Sequence, residues 1–211
     1  MTCLRNGCAV GKPHLHVSDI EAFRYYKDSD DDTLEDILRR LRHEEPPSDR
    51  MLAGAAFAKL MERGGPFPGI ETADVDGWHF VFALDATIEE PDGHEVEGEL
   101  VVETPDGPIT LVGHADSITA QSVRDDKLTE RFDAERYVDS LQWKAYLPMF
   151  SRKRFDYTVW ECSYRERTVT IKELHRLTFY AYPDMRKDVA RAVTELAGIV
   201  VAHMPETAAA T

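Results

Sequence analysis

Gly113-His114-Ala115-Asp116, followed by Ser122-Val123-Arg124-Asp125-Asp126-Lys127, is the stretch on which the reading of this chain turns. Both halves read as β-strands. Side chains alternate between the two faces of a strand, so Asp125 and Lys127 share one face and Asp126 takes the other. Val123 lies on the Asp125/Lys127 face and marks it as inward. On the first strand Val112, His114, Asp116 and Ile118 alternate together, which predicts that Asp116 also points inward. Acidic side chains seldom face a core unless they are paired or hold a metal. Two of them beside a lysine point to a site for a hard divalent cation and an activated water. The bland alternative is a structural salt bridge among the three.

Other stretches fall into order around this one. Val17-Ser18-Asp19-Ile20-Glu21-Ala22-Phe23 reads as an opening helix, capped by Ser18 with Glu21 completing a capping box. Thr33 is placed to cap a helix over 34–43, and Asp49 one over 51–63 that stops at Gly64-Gly65-Pro66. Residues 77–85 alternate around Trp78, Phe80 and Phe82. The turn signals Pro91-Asp92-Gly93 and Pro105-Asp106-Gly107 bracket the next strand. Asp133 opens a helix through Tyr137, Leu141 and Ala145 to Pro148; strands over 156–164 and 168–178 and an amphipathic helix over 184–201 follow. The expected domains are a helical extension at 1–50 packed on a core at 51–205, with a disordered tail at 206–211. The fold class is mixed α/β, a central mixed sheet flanked by helices.

This ordered set resembles the PD-(D/E)XK nuclease superfamily, in its RecB-like exonuclease branch. The carriers are Asp116, Asp125-Asp126-Lys127, Gln142-Trp143-Lys144-Ala145-Tyr146 as a Q-x-x-x-Y motif, and the helix around Gly54 to Glu62. The resemblance covers roughly 17–180 and implies a restriction-endonuclease-like core. It also implies a metal-dependent DNA exonuclease acting on ends or single strands, in recombination, repair or phage DNA processing. Asp116, Asp125 and the backbone carbonyl of Asp126 would ligate Mg²⁺ or Mn²⁺. Lys127 would polarise the attacking water, and Gln142 and Tyr146, one helical turn apart, would shape the site. Many relatives have a metal-binding histidine where this chain has Ala58; Glu62 and His114 are the available substitutes. Leu128 also replaces a usual small polar residue. The alternatives are a nuclease-fold binding module with a degraded metal site in a nucleic-acid-processing complex, and a structure-specific endonuclease.

Composition bounds these readings. The 211 residues suit one domain, and no apolar run is long enough for a membrane span, so a cytoplasmic protein is expected. Cys3, Cys8 and Cys162 are too few for a four-cysteine iron–sulfur cluster, and none is expected. The net charge of −14 is unfavourable for holding phosphates, but it is uneven. Residues 1–130 carry 12 Lys/Arg against 28 Asp/Glu, and residues 131–211 carry 13 against 11. DNA contacts are therefore expected from Arg131, Lys144, Arg152, Lys153 and Arg154, with any unwinding left to a helicase or recombination partner. His14-x-His16 has ligand-like spacing but no nearby carboxylate, and reads as a mobile tail.

Overall fold

The computed structural model describes residues 14–63, 71–84, 88 and 91–204. Cys3, Cys8, the Gly64-Gly65-Pro66 stop and the expected tail at 206–211 lie outside the described residues. The elements are β1 (His14–His16), α1 (Val17–Asp28), α2 (Leu34–Leu41), α3 (Asp49–Glu62), β2 (Thr72–Val75), β3 (Trp78–Phe82), β4 (Gly93–Thr104), β5 (Gly107–Ile118) and β6 (Ser122–Thr129). They continue with α4 (Ala134–Val138), α5 (Leu141–Met149), β7 (Arg154–Arg165), β8 (Thr168–Tyr180) and α6 (Met185–His203). The architecture is a central mixed sheet with helices on both faces. No described helix is long and apolar enough to cross a membrane.

The sheet runs β1-β5-β6-β7-β8-β3-β2, with β4 paired along β5. β5/β6 and β7/β8 are antiparallel, β6/β7 and β3/β8 parallel. One break positions everything else. β4 occupies one edge of β5 from end to end. The other edge pairs with β1 at residues 110–112 and with β6 only at 117–118. Between those heights, among the described residues, 113–116 have no strand on that side, and β6 continues with β7. Buried backbone groups must find partners, and side chains supply them here. The Tyr146 hydroxyl donates to the His114 carbonyl at 2.7 Å, and the Asp126 N–H donates to Asp116 Oδ2 at 2.8 Å.

Helices α1, α2, α5 and α6 share one core with the sheet, built on Ile20, Ile37, Leu111, Val123, Tyr146, Phe155 and Leu196. On the opposite face, α3 packs Ala53, Ala56, Phe57 and Leu60 against Trp78, Phe80, Phe82 and Trp160, matching the alternation read at 78–82. Thr33 caps α2 as its sequence demands: its N–H donates to Asp36 Oδ2 at 2.9 Å while its hydroxyl accepts from Asp36 N.

Four expectations need correction, the briefest being the α3 cap, which is Ser48, accepting from the Met51 N–H, and not Asp49. First, β5 buries Ile109, Leu111, Gly113, Ala115 and Ser117, leaving His114 exposed and Asp116 half-buried, so Asp116 is not on the core face. The inward positions are small because Tyr146 and Val17 fill the space: a Cβ on Gly113 would sit 2.4 Å from the Tyr146 ring and 2.8 Å from Val17. Second, the helix over 133–148 is two helices, because Asp139 ends α4 and Ser140 caps α5 through Gln142 N. Third, α1 begins at Val17 rather than after Ser18, with Asp19 accepting from the His16 N–H at 2.7 Å; His14 and His16 form β1, not a mobile tail.

Gly113→Ala is therefore expected to destabilise the protein by about 1–3 kcal/mol, the usual cost of overpacking. Urea unfolding checks this, and a companion Gly54→Ala, where a Cβ meets nothing within 4 Å, should not destabilise.

Candidate metal and phosphodiester site

β6 delivers Asp125 and Lys127 to the α5 face of the sheet and Asp126 to the α3 face, as the alternation requires. Asp125 is 1% exposed. Its Oδ1 accepts from Gln142 Nε2 at 2.6 Å, and its Oδ2 lies 2.7 Å from Lys127 Nζ. Gln142 is held in turn by Tyr157, whose hydroxyl donates to Gln142 Oε1 at 3.3 Å and sits 2.9 Å from Ser140 Oγ. Glu21 of α1 anchors this corner by accepting from the Leu141 N–H at 2.8 Å and from Ser140 Oγ at 3.2 Å. The amide of Gln142 is thus pinned at both ends, with its donor end aimed at the carboxylate.

Burial, and then the nearby Asp116 carboxylate, push Asp125 from an ordinary 3.8 up to about 7, against the pull of Lys127. Burial alone would lower Lys127, but Asp125 and Asp116 outweigh it and hold the amine charged. Burial, with Asp125 next, raises Tyr146 and Tyr157, so both hydroxyls remain donors. Asp126 is also raised by burial, against Arg124 and Trp160. Its role is structural: Oδ1 accepts from Trp160 Nε1 at 3.1 Å, and Oδ2 lies 3.4 Å from Arg124 Nε.

Two cavities flank β6. The larger, about 440 Å³, is lined by Lys127, Gln142, Tyr146 and Tyr157 with Tyr25 and Arg136 among its other walls. The smaller, about 10 Å³, is lined by Ala58, Met61, Glu62, His94, Glu95, Asp116 and Asp126. Its volume is about that of one water-sized sphere. Asp116, bonded to the Asp126 backbone, lines the smaller cavity while raising both Asp125 and Lys127 electrostatically. The residues present suit a hard cation: oxygen donors around an ion-sized hole, with carboxylates that have more negative charge than their neighbours neutralise.

The structure brings Asp125, Lys127 and Gln142 into direct contact, with Asp116 across the strand opening. Tyr146 bonds the backbone of that opening. Of the two substitutes for the absent histidine, Glu62 lines the small cavity; His114 instead lies 3.4 Å from Glu97 on the open face. Sequence reasoning did not single out Glu95, which lines the small cavity and falls between His94, paired with Ser117, and Val96, paired with Ala115, at a φ of 48°. Arg136 lies on the wall of the larger cavity.

The expected DNA-contacting cations make contacts away from the larger cavity. Arg152 donates to the Thr119 and Phe150 carbonyls, and Arg154 to Asp156 and Ser122. Lys144 lies over the Trp143 ring at 5.5 Å, and the Arg131 backbone bonds Thr129. Lys153 lends its carbonyl to Ala181. None of the five lines the larger cavity. Farther along β7 and β8, Glu161, Glu173 and His175 gather their ligand atoms within 4.8 Å of one another, a second group able to take a cation. Cys162 is buried, and burial pushes its thiol up to about 11.

No protein-family description and no curated protein matches the chain. Among solved structures it is similar to that of SSO0001, with a TM-score of 0.52 and 13% identity over 91% of this chain and 79% of that one. At this identity the likeness shows the fold alone. LHK-Exo in complex with dAMP aligns with a TM-score of 0.41 at 11% identity, over 96% of both chains. The alkaline exonuclease LHK-Exo from Laribacter hongkongensis aligns with a TM-score of 0.39 at 9% identity, over 92% of this chain and 89% of that one.

A carboxyl raised on folding binds more protons folded than unfolded, so stability falls as pH climbs from about 4 through about 7. Asp125→Asn should flatten that fall in the metal-free protein, leaving it less dependent on pH between 5 and 8 by on the order of 1 kcal/mol or more. Chemical unfolding of both proteins across that range checks it.

Proposed function

We propose that this protein is a Mg²⁺- or Mn²⁺-dependent nuclease that hydrolyses phosphodiester bonds at DNA ends or in single strands. The observation that carries the reading is the Asp125–Lys127–Gln142 contact set, with Asp116 at the strand opening beside it. A structural salt bridge alone does not need a carboxylate raised to about 7 by burial and then by a second carboxylate. Catalytic sites are where such costly arrangements concentrate.

Asp116, Asp125 and the Asp126 carbonyl, with Glu62 nearby, would hold the cation. When bound, it supplies a water acidified for attack and neutralises charge on the phosphate. Lys127 Nζ, on the wall of the larger cavity, offers a fixed positive charge to the oxygens of the phosphorane, where it develops. Gln142 keeps Asp125 from rotating away from that amine. The larger cavity has room for an unpaired nucleotide, with half-buried Tyr25 and exposed Arg136 on its wall to receive a base or a phosphate. This favours ends and single strands over intact double helix. We place the activity in DNA recombination, repair or phage DNA processing, as the resemblance implies, with strand separation supplied by a partner.

Cleavage of end-labelled linear DNA is expected with Mg²⁺ or Mn²⁺ and none in EDTA, with closed circular duplex resistant. Asp116→Ala, Asp125→Ala and Lys127→Ala should each lower the rate by roughly 100-fold or more, the scale for removing a group that stabilises transition-state charge. Asp126→Ala should cost mainly stability, because its side chain serves Trp160 and Arg124. Full activity in EDTA would refute the metal mechanism.

A further inference from the structure

We infer that Tyr157 is a positioning residue of the nuclease site, acting through Gln142 to set the carboxylate of Asp125. The inference rests on the nuclease reading above and extends it to a residue outside the expected catalytic set. Three observations carry it. The β6/β7 ladder seats Tyr157 beside Asp125, as register partners of two parallel strands. Tyr157 is 1% exposed, and its ring is wedged among Phe155, Tyr137 and Phe179 at centroid distances of 4.7, 5.0 and 6.0 Å, which fixes where its oxygen lies. That hydroxyl donates to Gln142 Oε1 at 3.3 Å, and Gln142 Nε2 donates to Asp125 Oδ1 at 2.6 Å.

A glutamine amide is nearly symmetric in shape, and a half-turn exchanges its donor for its acceptor. A turned Gln142 would set its oxygen against the Asp125 carboxylate. The Tyr157 proton on Oε1 opposes that turn. The Tyr157 oxygen is itself steadied by Ser140 Oγ at 2.9 Å, and Ser140 Oγ by Glu21 of α1 at 3.2 Å. A chain of side-chain hydrogen bonds therefore runs Glu21–Ser140–Tyr157–Gln142–Asp125, from the first helix to the buried carboxylate. At its end Oδ1 of Asp125 is occupied, which turns Oδ2 toward Lys127 Nζ at 2.7 Å. Tyr157 thus governs which oxygen of Asp125 faces the amine, without a direct bond to either group.

The first test needs neither metal nor turnover. In the metal-free, full-length protein the NMR signals of the Gln142 side-chain NH₂, identified by their loss in Gln142→Met, report how firmly the amide is held. Tyr157→Phe removes one oxygen and should speed exchange of those protons with water roughly tenfold or more, the scale of a hydrogen bond in a charged network. At saturating Mn²⁺ the same variant should lower kcat by a similar factor while KM stays within twofold. In the Gln142→Met background Tyr157→Phe should lower kcat less than twofold further, because residues that act through one another are not additive. Ser140→Ala leaves the Tyr157 side chain intact and should speed the amide exchange and lower kcat by roughly threefold or more, for the loss of a neutral bond. Exchange or kcat within twofold of the unmutated protein in Tyr157→Phe, or in Ser140→Ala where Tyr157→Phe does not fold, would overturn the role of Tyr157 and leave the nuclease reading intact. Losses that multiply in the double variant would overturn it too, since Tyr157 would then act independently of Gln142. No cleavage by the unmutated protein would remove the nuclease reading and the positioning role together, even where the amide exchange responds.

Discussion

What looks like chemistry in this molecule depends on a four-residue interval in which β5, among the described residues, has a strand on one edge only. Between the end of β1 and the start of the β6 pairing, residues 113–116 face a gap in the sheet. Backbone groups cannot be left unpaired there. The gap therefore recruits a tyrosine hydroxyl from α5 and an aspartate carboxylate from β5 itself. Those two bonds also fix the site: Tyr146 ties α5, and with it Gln142, to the sheet, and Asp116 is held at the opening beside Asp125. Gly113 belongs to the same constraint, because any side chain there would push Tyr146 out.

The gap also sets the electrostatic character. Asp125 is almost wholly buried, its lysine partner is part-exposed, and a second carboxylate stands close enough to raise it. On the other side of β6, Asp116, Glu62 and Glu95 surround a hole of about 10 Å³. Neither arrangement stabilises the fold by itself, since buried or opposed carboxylates cost free energy unless neutralised. Asp126 shows the contrast. It is as buried as its neighbour, yet its oxygens are used by Trp160 and Arg124, the way an ordinary structural carboxylate is satisfied.

Much of this was legible in the sequence, and what failed did so for identifiable reasons. The period of two placed Asp125 and Lys127 on the inner face because Val123 marks it, and the α2 cap followed from Thr33. The face of β5 was misread because its core positions hold Gly113, Ala115 and Ser117 while Val112 and Ile118 lie on the other side. Hydrophobicity pointed outward because the core there is filled from α1 and α5. Asp116 lies instead at the gap, accepting from the Asp126 N–H and lining the small cavity. The neighbours of Glu95 along the strand, Glu97 and Glu99, are surface glutamates, and nothing in composition separates Glu95 from them. The break at Asp139-Ser140 was signalled by two residues that prefer caps, and continuous periodicity across it masked the signal.

The most direct test of the account is the position of Mn²⁺ in crystals of this protein, located by its anomalous scattering. The account predicts a peak at the β5–β6 opening, within ligand distance of Asp116 and Asp125 carboxylate oxygens and the Asp126 carbonyl. A fully soaked crystal with no peak there, or with Mn²⁺ only at Glu161, Glu173 and His175, would contradict it.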